Sequence, residues 1–366
     1  MGNRPRALEN LGLSLFATTF GGRRVLVTGH TGFKGSWLAL WLRELGAQVS
    51  GISLDPETSP NHWDLLGLEI NDHRHDIRDA DGLQRLVAAA RPDIVFHLAA
   101  QPLVRRSYGD PLATWSTNVV GTANLLEACR SAPSVSAIVV VTTDKCYENR
   151  DWEWGYREND RLGGHDPYSA SKAATELVVA SYRQSFFHEP GSPLLASARA
   201  GNVIGGGDWS EDRLIPDLVR ARAAGAPLEI RSPQATRPWQ HVLEALSGYL
   251  LLGQGLLQGR RDFARAWNFG PDGDSNCSVE QLLTAIKREW PAIEWRQTGK
   301  PMLHEANLLQ LDATLARQKL GWRPIWSLNQ ALAVTAAWYR RYLEQGEVNS
   351  LQQLRDYIAA GDGAAA

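Results

Sequence analysis

A glycine-rich turn between a strand pattern and a helix pattern is the feature that most constrains this chain. Residues 27–35 read Val-Thr-Gly-His-Thr-Gly-Phe-Lys-Gly, and the apolar residues of 38–45 recur at helical spacing before a stop at Gly46. Glycines here let the backbone turn sharply and bring a pyrophosphate to the positive end of the helix. The spacing is GxxGxxG instead of GxGxxG, and an ordinary strand-to-helix loop is the alternative. The order of strand, turn, helix and next strand favours a dinucleotide site.

Strand and helix patterns alternate through the N-terminal half, as in a parallel sheet covered by helices on both faces. Strands are predicted at residues 25–28, 49–53, 94–99, 137–143 and 194–200. The predicted fold class is α/β, with a Rossmann-like doubly wound parallel sheet and a smaller C-terminal substrate-binding lobe. The predicted divisions are an N-terminal extension at 1–22, the dinucleotide-binding Rossmann domain at 23–200, a mainly substrate-binding lobe at 201–360 that is partly interleaved with it, and a disordered tail at 361–366.

Composition and charge exclude several classes of protein. The 366 residues are 43% hydrophobic and 21% charged, which argues against a disordered chain, a disulfide mini-protein and a coiled coil. A net charge of -2 argues against a nucleic-acid partner. No apolar run reaches the about 18 residues that span a bilayer, so no membrane partner is expected. Cys129, Cys146 and Cys277 lack metal-ligand spacing and are odd in number, so we expect no metal and a reducing cytoplasm.

An acidic residue is expected about 20 residues after the glycine-rich turn, at the end of the second strand, to bind the adenosine ribose. Asp55 occupies that place, and an acid there favours NAD over NADP because it repels a 2'-phosphate. Asp76 and Ile77, after the third strand region, are candidates for contact with the adenine ring. In each case a simple turn is the alternative.

Tyr168 and Lys172 are four residues apart and therefore lie on one face of a helix. The lysine cation is expected to favour tyrosinate, which lowers the pKa of Tyr168 and lets it exchange a proton with a sugar or alcohol oxygen. A surface helix is the usual explanation of an isolated YxxxK pattern. Together with the glycine-rich turn at the right distance, the pair becomes specific.

The combination resembles the extended short-chain dehydrogenase/reductase family, and within it the nucleotide-sugar dehydratases and epimerases. The resemblance covers roughly residues 23–338 and includes His-Leu-Ala-Ala-Gln at 97–101, Thr-Asn-Val-Val-Gly-Thr at 117–122, Thr-Thr-Asp-Lys at 142–145 and Leu-Gly-Trp-Arg-Pro at 320–324. Longer strings are similar to the CDP-glucose 4,6-dehydratases: Asp-Lys-Cys-Tyr at 144–147, Gly-Asn-Val-Ile-Gly-Gly-Gly-Asp-Trp at 201–209 and Arg-Pro-Trp-Gln-His-Val at 237–242.

That resemblance implies a Rossmann-like fold, NAD as cofactor, CDP-glucose as substrate and a homodimer or homotetramer. It also implies a redox-neutral dehydration, in which hydride leaves carbon 4 for NAD and returns to carbon 6, as a step in making deoxysugars for lipopolysaccharide. Contacts to the cofactor are expected from Gly29, Thr31, Gly32, Phe33, Gly35, Asp55, Asp76, Ile77, Leu98, Ala99, Ala100, Tyr168 and Lys172.

The same resemblance assigns catalytic roles. Tyr168, supported by Lys172, would take the proton of the sugar 4-hydroxyl. In the related dTDP-glucose enzymes a Thr-Asp-Glu run holds the 4-oxygen, supplies the general acid and supplies the base for carbon 5. The matching residues here are Thr143, Asp144 and Lys145, so a lysine replaces the carboxylate base. Either Lys145 has a pKa low enough to act as the base, or its charge stabilises the enolate.

The substrate diphosphate needs cations or amide donors. The resemblance places Asn202 and Arg237 at the diphosphate, with Arg213 on the intervening loop. His241 is a further candidate, and a packed histidine beside Trp239 is the alternative. His304 and Glu305 are another pair for which a structural role is open.

Two other functions remain open. A nucleotide-sugar 4-epimerase shares the fold, the cofactor and the Tyr168–Lys172 pair, but it needs no group to expel the 6-hydroxyl, so Asp144 and Lys145 count against it. A non-catalytic dinucleotide-binding scaffold would have no need for either pair of residues.

Overall fold

A computed structural model describes residues 13–271, 276–298 and 308–365; His304 and Glu305 lie outside the described residues. The strands, in chain order, are β1 (Arg24–Thr28), β2 (Gln48–Ser53), β3 (Asn71–Arg74), β4 (Ile94–His97), β5 (Ala137–Val141), β6 (Leu194–Ala200), β7 (Val203–Ile204), β8 (Leu228–Ile230), β9 (Thr236–Pro238), β10 (Gln240–His241), β11 (Ala266–Phe269), β12 (Asn276–Ser278) and β13 (Trp295–Gln297).

The helices, in chain order, are α1 (Leu13–Phe20), α2 (Phe33–Glu44), α3 (His62–Leu66), α4 (Ala80–Ala90), α5 (Val104–Gly109), α6 (Pro111–Trp115), α7 (Gly121–Arg130), α8 (Pro167–Ser185), α9 (Leu214–Ala223), α10 (Val242–Leu257), α11 (Val279–Glu289), α12 (Leu328–Gln345) and α13 (Ser350–Ala365). Many begin at a side-chain cap that the local sequence encodes. Asp166 accepts a hydrogen bond from the Ser169 amide before α8, and Ser278 and Ser327 each open a capping box.

Seven parallel strands form the main sheet, in the order β11-β6-β5-β4-β1-β2-β3. The chain runs outward from β1 in one direction and then returns to build the other side from β4. A crevice therefore opens between the carboxyl ends of β1 and β4, where such sheets bind their ligands. This arrangement confirms the predicted α/β, Rossmann-like fold class.

Two apolar cores cover the two faces of the sheet. On one face α2 and α10 pack on the strands, with Trp37, Trp41 and Tyr249 fully buried. On the other face α4, α7 and α8 pack through residues such as Leu83, Leu125 and Val179. Burying both faces requires nearly continuous apolar strands, as in β5, Ala-Ile-Val-Val-Val.

A third apolar core lies in the C-terminal lobe, where α9, α11 and α12 surround the short strand pair β8–β13. The chain does not separate cleanly at residue 201. After the lobe elements α9, β8, β9 and β10 it continues into α10, which packs on the main sheet, and then adds β11 to the sheet's edge. The lobe thus shares elements with the Rossmann domain.

Both chain ends differ from the sequence-based expectation. Within the predicted extension, α1 packs Phe16 and Phe20 into the core, and the Phe20 ring lies 6.2 Å from that of Phe96 on β4. The C-terminal helix α13 continues to Ala365, through most of the segment for which disorder was predicted. The rings that Phe16 and Phe20 pack against, Trp41 and Phe96, are distant in sequence, so local composition did not indicate this packing.

Among the described residues, no helix is long and apolar enough to cross a membrane. Over the same residues, no group of three or more His, Cys, Asp or Glu side chains is arranged to hold a metal ion. Cys129, Cys146 and Cys277 are unbridged thiols.

Candidate active site

The carboxyl ends of the strands open into a cavity of about 1230 Å³ between the sheet and the C-terminal lobe. Every predicted cofactor contact lines this cavity, from Gly29 in the turn to Lys172 on α8. The predicted catalytic and substrate residues that also line it are Thr143, Lys145, Asn202, Arg213 and Arg237. Asp144 and His241 are buried behind its wall.

The glycine-rich turn forms a cradle at the start of α2. Gly29 has a φ of 75°, a Cβ on it would lie 2.7 Å from the Ala99 amide nitrogen, and a Cβ on Gly35 would lie 2.0 Å from the Gly29 carbonyl oxygen. These two glycines are required by the protein's own packing. At Gly32, by contrast, a Cβ would meet protein only at 3.4 Å, and the residue faces the cavity at the amino end of the helix. The exposed amides at that end suit a pyrophosphate.

The far end of the cradle has the features of an adenosine site. Asp55 has an 85% exposed side chain and lies 3.5 Å from Arg74. The Asp76 carboxylate is engaged by Arg78, whose hydrogen bonds lower the pKa of Asp76, while the Ile77 side chain packs above Gly121. Asp55, an exposed acid paired with Arg74, and the apolar side chain of Ile77 therefore fit a ribose hydroxyl and an adenine ring.

Tyr168 and Lys172 lie on the first two turns of α8 and face the cavity. Burial raises the pKa of Tyr168 to about 12, although the neighbouring Thr143 hydroxyl opposes that rise. Burial also lowers the pKa of Lys172 to about 8, and its amino group donates to the Val141 carbonyl at 3.3 Å. Burial has the largest effect on the pKa of Tyr168, and the groups that oppose the rise are the Thr143 hydroxyl and Arg213, not the expected Lys172.

The turn after β5 carries Thr143, Asp144 and Lys145. The Thr143 hydroxyl donates to Asp144 Oδ1 at 2.9 Å and accepts from the Lys145 amide at 3.3 Å. Asp144 is only 1% exposed, and its Oδ2 has no hydrogen-bond partner among the described residues. Burial raises the pKa of Asp144, against the lowering effects of Lys145, Thr143, Arg237 and Lys34. A raised pKa favours the protonated form of a carboxyl group, which is the form that a general acid needs.

A buried ion pair holds the catalytic segments together. Arg199 on β6 binds Glu176 on α8 at 2.7 Å, and Glu176 also accepts from Thr142 and from Ser197. Arg199 in turn donates to the hydroxyl of Tyr147, at the end of the catalytic turn, at 2.7 Å. The network therefore fixes α8 and the Asp144 turn relative to the same strand.

Three of the four predicted substrate residues line the cavity, and the fourth is buried behind its wall. Arg237 is buried at the cavity wall, where it donates to the Thr236 carbonyl, and Arg213 lies 3.8 Å from Asp208. Asn202 also faces the cavity. Clustered cations and an amide on the C-terminal lobe suit a diphosphate.

His241, predicted as a substrate contact, is fully buried behind the cavity wall. Its Nδ1 accepts a hydrogen bond from the Leu243 amide at 3.3 Å, which caps α10, and its ring packs against Trp326 and Trp37. Burial lowers the pKa of His241 to about 3, so the imidazole is neutral. The packed-histidine alternative accounts for it.

Sequence reasoning overlooked three cavity residues. Lys34, in the turn itself, reaches the catalytic end of the cavity. Arg105 and Arg106 on α5 lie at the rim, where they pair with Asp212 at 2.5 Å and with Glu211 at 3.0 Å. A charged residue between Gly32 and Gly35 was the feature of the sequence that could have identified Lys34. The ion pairs of Arg105 and Arg106 join residues more than 100 positions apart, so no local pattern could have predicted them.

Comparison with known proteins agrees with this geometry. The sequence profile of the GDP-mannose 4,6 dehydratase family matches residues 26–266. The CDP-glucose 4,6-dehydratase of Salmonella typhimurium is 46% identical over 349 residues, which cover 93% of this chain and 97% of that relative.

Two solved structures share the fold over most of their length. The epimerase Mth375 from Methanothermobacter thermautotrophicus has a TM-score of 0.80 and 25% identity, covering 93% of this chain and 98% of that one. DesIV of Streptomyces venezuelae, a dTDP-glucose 4,6-dehydratase solved with NAD and TYD bound, has a TM-score of 0.73 and 27% identity, covering 87% and 97%.

The burial of Lys172 predicts that this lysine lowers the free energy of unfolding at neutral pH. Because the folded protein holds this lysine at a pKa of about 8 and the unfolded chain near 10.5, an ammonium at position 172 destabilises the fold below pH 8. Lys172→Met should raise the free energy of unfolding at pH 7 by on the order of 2 kcal/mol. That gain should shrink as the pH rises from 8 towards 10.5, since the wild-type lysine then loses its proton.

The measurement is urea denaturation of both proteins across this pH range. Lys287→Met, at an exposed lysine on α11, is the matched control and should leave stability unchanged at every pH. A Lys172→Met protein that is less stable than wild type at pH 7 would contradict the argument.

Proposed function

Because the chain belongs to the NAD-dependent epimerase/dehydratase family, we propose that it is a nucleotide-sugar 4,6-dehydratase, a lyase that converts CDP-glucose to CDP-4-dehydro-6-deoxyglucose and water. The observation that carries the proposal is the meeting of two pairs at one cavity. Tyr168 and Lys172 on α8 lie beside Thr143, with Asp144 and Lys145 on the same turn. The first pair suits chemistry at a hydroxyl group, and the second suits elimination.

The glycine-rich cradle and Asp55 fit NAD, which when bound would accept hydride from carbon 4 and return it to carbon 6. The protein's part at carbon 4 is a proton transfer. Thr143, beside Tyr168, holds the 4-oxygen, and Tyr168 takes the hydroxyl proton. Burial favours the protonated tyrosine, and the Thr143 hydroxyl and the positive charge of Arg213, which both lower the pKa of Tyr168, assist its ionisation.

Elimination follows from the acidity that a 4-ketone gives to the carbon-5 proton. Lys145, at the cavity wall, removes that proton. Asp144 donates its own proton to the 6-hydroxyl as the bond from carbon 6 to oxygen breaks, and water leaves. The raised pKa of Asp144 supports its part, because the acid must carry a proton near neutral pH.

The 4-epimerase alternative uses the first pair but not the second. An epimerase breaks no bond to the 6-hydroxyl, so it has no use for a protonated, buried carboxyl group beside a lysine. Asp144, with a raised pKa and an unpaired oxygen, therefore favours dehydration.

The proposal predicts a substrate preference that a simple assay checks. With NAD, the protein should form a 4-keto sugar from CDP-glucose, detected by its absorbance in alkali, and should turn over dTDP-glucose and UDP-glucose more slowly. Tyr168→Phe should lower kcat by at least about 100-fold, because it removes the proton acceptor. Tyr182→Phe, on the same helix, is the matched control. Wild-type protein that forms UDP-galactose from UDP-glucose, and no keto sugar, would refute the proposal.

The role of Lys145 predicts a loss of isotope exchange. In deuterated water, Lys145→Ala should fail to place deuterium at carbon 5 while it still oxidises carbon 4, because only the second step lacks its base. Mass spectrometry of the sugar measures the exchange, and Lys287→Ala controls for loss of one exposed lysine. Normal deuterium incorporation would assign the base elsewhere.

We also propose a homodimer formed through the helices beside the site. The helices α6 and α8 pack on each other, and each exposes a large apolar side chain: Leu112 is 80% exposed and Leu177 is 61% exposed. Trp115 and Val120 extend this apolar surface. Two copies related by a two-fold axis would cover it.

A charged substitution on this surface should separate the copies. Leu112→Glu and Leu177→Glu should each shift the mass measured by light scattering from dimer or tetramer towards monomer, since burying a carboxylate costs several kcal/mol. Gln352→Glu, exposed on α13, adds the same charge elsewhere and should not. A monomeric wild type would rule out the interface.

A further inference from the structure

Lys34 is a charged residue in a place where the phosphate cradle does not need one. It is the second residue of α2, and its side chain runs along the cavity wall towards the catalytic end. Its amino group donates to the hydroxyl of Tyr249 at 3.4 Å and lies 5.9 Å from the centre of that ring. No role for it follows from dinucleotide binding, which uses the backbone of this turn.

Tyr249 ties Lys34 to the reacting groups. It lies on α10, fully buried, and its electrostatic neighbours are Tyr168 and Asp144. Lys34 itself feels Asp144 and Lys172 among its charged neighbours. Lys34 lines the cavity and Tyr249 is buried behind it, so the pair lies within electrostatic reach of Asp144.

The charged groups that most affect the pKa values of Lys34 and Asp144 come from several elements of the fold. Around Lys34 they are Arg213, Asp144, Lys172 and Asp208, and around Asp144 they are Lys145, Arg237 and Lys34. Burial together with the two cations lowers the pKa of Lys34 to about 7. The amine is thus poised to gain a proton when a negative charge appears beside it.

Asp144 creates such a charge if it acts as the acid. Once its proton has gone to the departing 6-hydroxyl, a carboxylate remains in a buried position, with one oxygen that has no hydrogen-bond partner among the described residues. An unpaired buried carboxylate is costly, so a cation near it speeds the step that forms it.

We propose that Lys34 is a positioning residue that acts through Asp144: its amino group, held by Tyr249, stabilises the Asp144 carboxylate formed as the 6-hydroxyl leaves. The inference rests on the proposed dehydratase function and deepens it. Lys34 takes no proton from the sugar and breaks no bond. Its charge balances the charge that the acid gains.

Kinetics of Lys34→Met test the proposal. We expect kcat to fall on the order of 100-fold with KM for CDP-glucose within about threefold, and reduced nicotinamide to build up during turnover, because elimination slows while oxidation of carbon 4 does not. Loss of the cation raises the pKa of Asp144, so the acid stays protonated to higher pH and the alkaline limb of kcat moves upward. Lys34→Arg should restore most of kcat and the wild-type limb.

Two control variants and one alternative outcome separate this role from others. Lys287→Met, at an exposed lysine, should match wild type. Tyr249→Phe keeps the buried ring but removes the partner of Lys34, and it should move the alkaline limb in the same direction by a smaller amount. A weaker affinity for NAD, with kcat at saturation and its pH limb unchanged, would instead make Lys34 a phosphate contact and overturn the proposal.

A readout without turnover keeps the inference distinct from the function. Infrared difference spectra, assigned with Asp144→Asn, follow the Asp144 carboxyl through its titration in the protein without substrate. Its pKa should be higher in Lys34→Met than in wild type, and equal values would overturn the inference whatever the enzyme's activity. Wild-type protein that forms no keto sugar would refute the dehydratase function alone.

Discussion

One buried ion pair holds the parts of this active site in place. Arg199 and Glu176 are 4% and 3% exposed, and they bind at 2.7 Å at the carboxyl edge of the sheet. Removing two charges from water costs several kcal/mol each, and such a pair persists only where further hydrogen bonds satisfy its remaining atoms. Thr142, Ser197 and Tyr147 provide such bonds, while Arg199 Nε has no hydrogen-bond partner among the described residues. Because the partners come from the turn after β5, from β6 and from α8, the pair links the reacting groups to one support.

Tyr168, Lys172 and Asp144, which rest on this support, are buried, and burial governs their pKa values. Tyr168 and Asp144 have raised pKa values, and Lys34 and Lys172 have lowered ones, so each group is moved towards its neutral form. These shifts favour the neutral form of each group in the protein without substrate. An anionic substrate brings in the charge that shifts the protons, which couples binding of the diphosphate to the reaction.

Much of the fold was predictable from short stretches of sequence. The spacing of residues 25–45 predicted the first strand, the turn and the helix, and all three are present. The family resemblance is likewise confirmed. The prediction of β4 and β5 extended two residues too far, because the segments 98–99 and 142–143 leave the sheet to line the cavity. The edge strand β11 was not predicted, since its sheet partner β6 precedes it by about 70 residues.

The candidate site divides in the same way. Local spacing placed Gly29, Gly35, Tyr168 and Lys172, because a backbone φ and a helical repeat depend only on neighbouring residues. Spacing could not reveal that Lys34 meets Tyr249, 215 positions away, or that the buried ring of His241 packs against Trp326. It also could not give the direction of a pKa shift, which depends on what else is packed around the group. Residue identity and spacing therefore indicated which chemical groups the site contains, and the packing of distant segments established which of them meet and how readily each holds its proton.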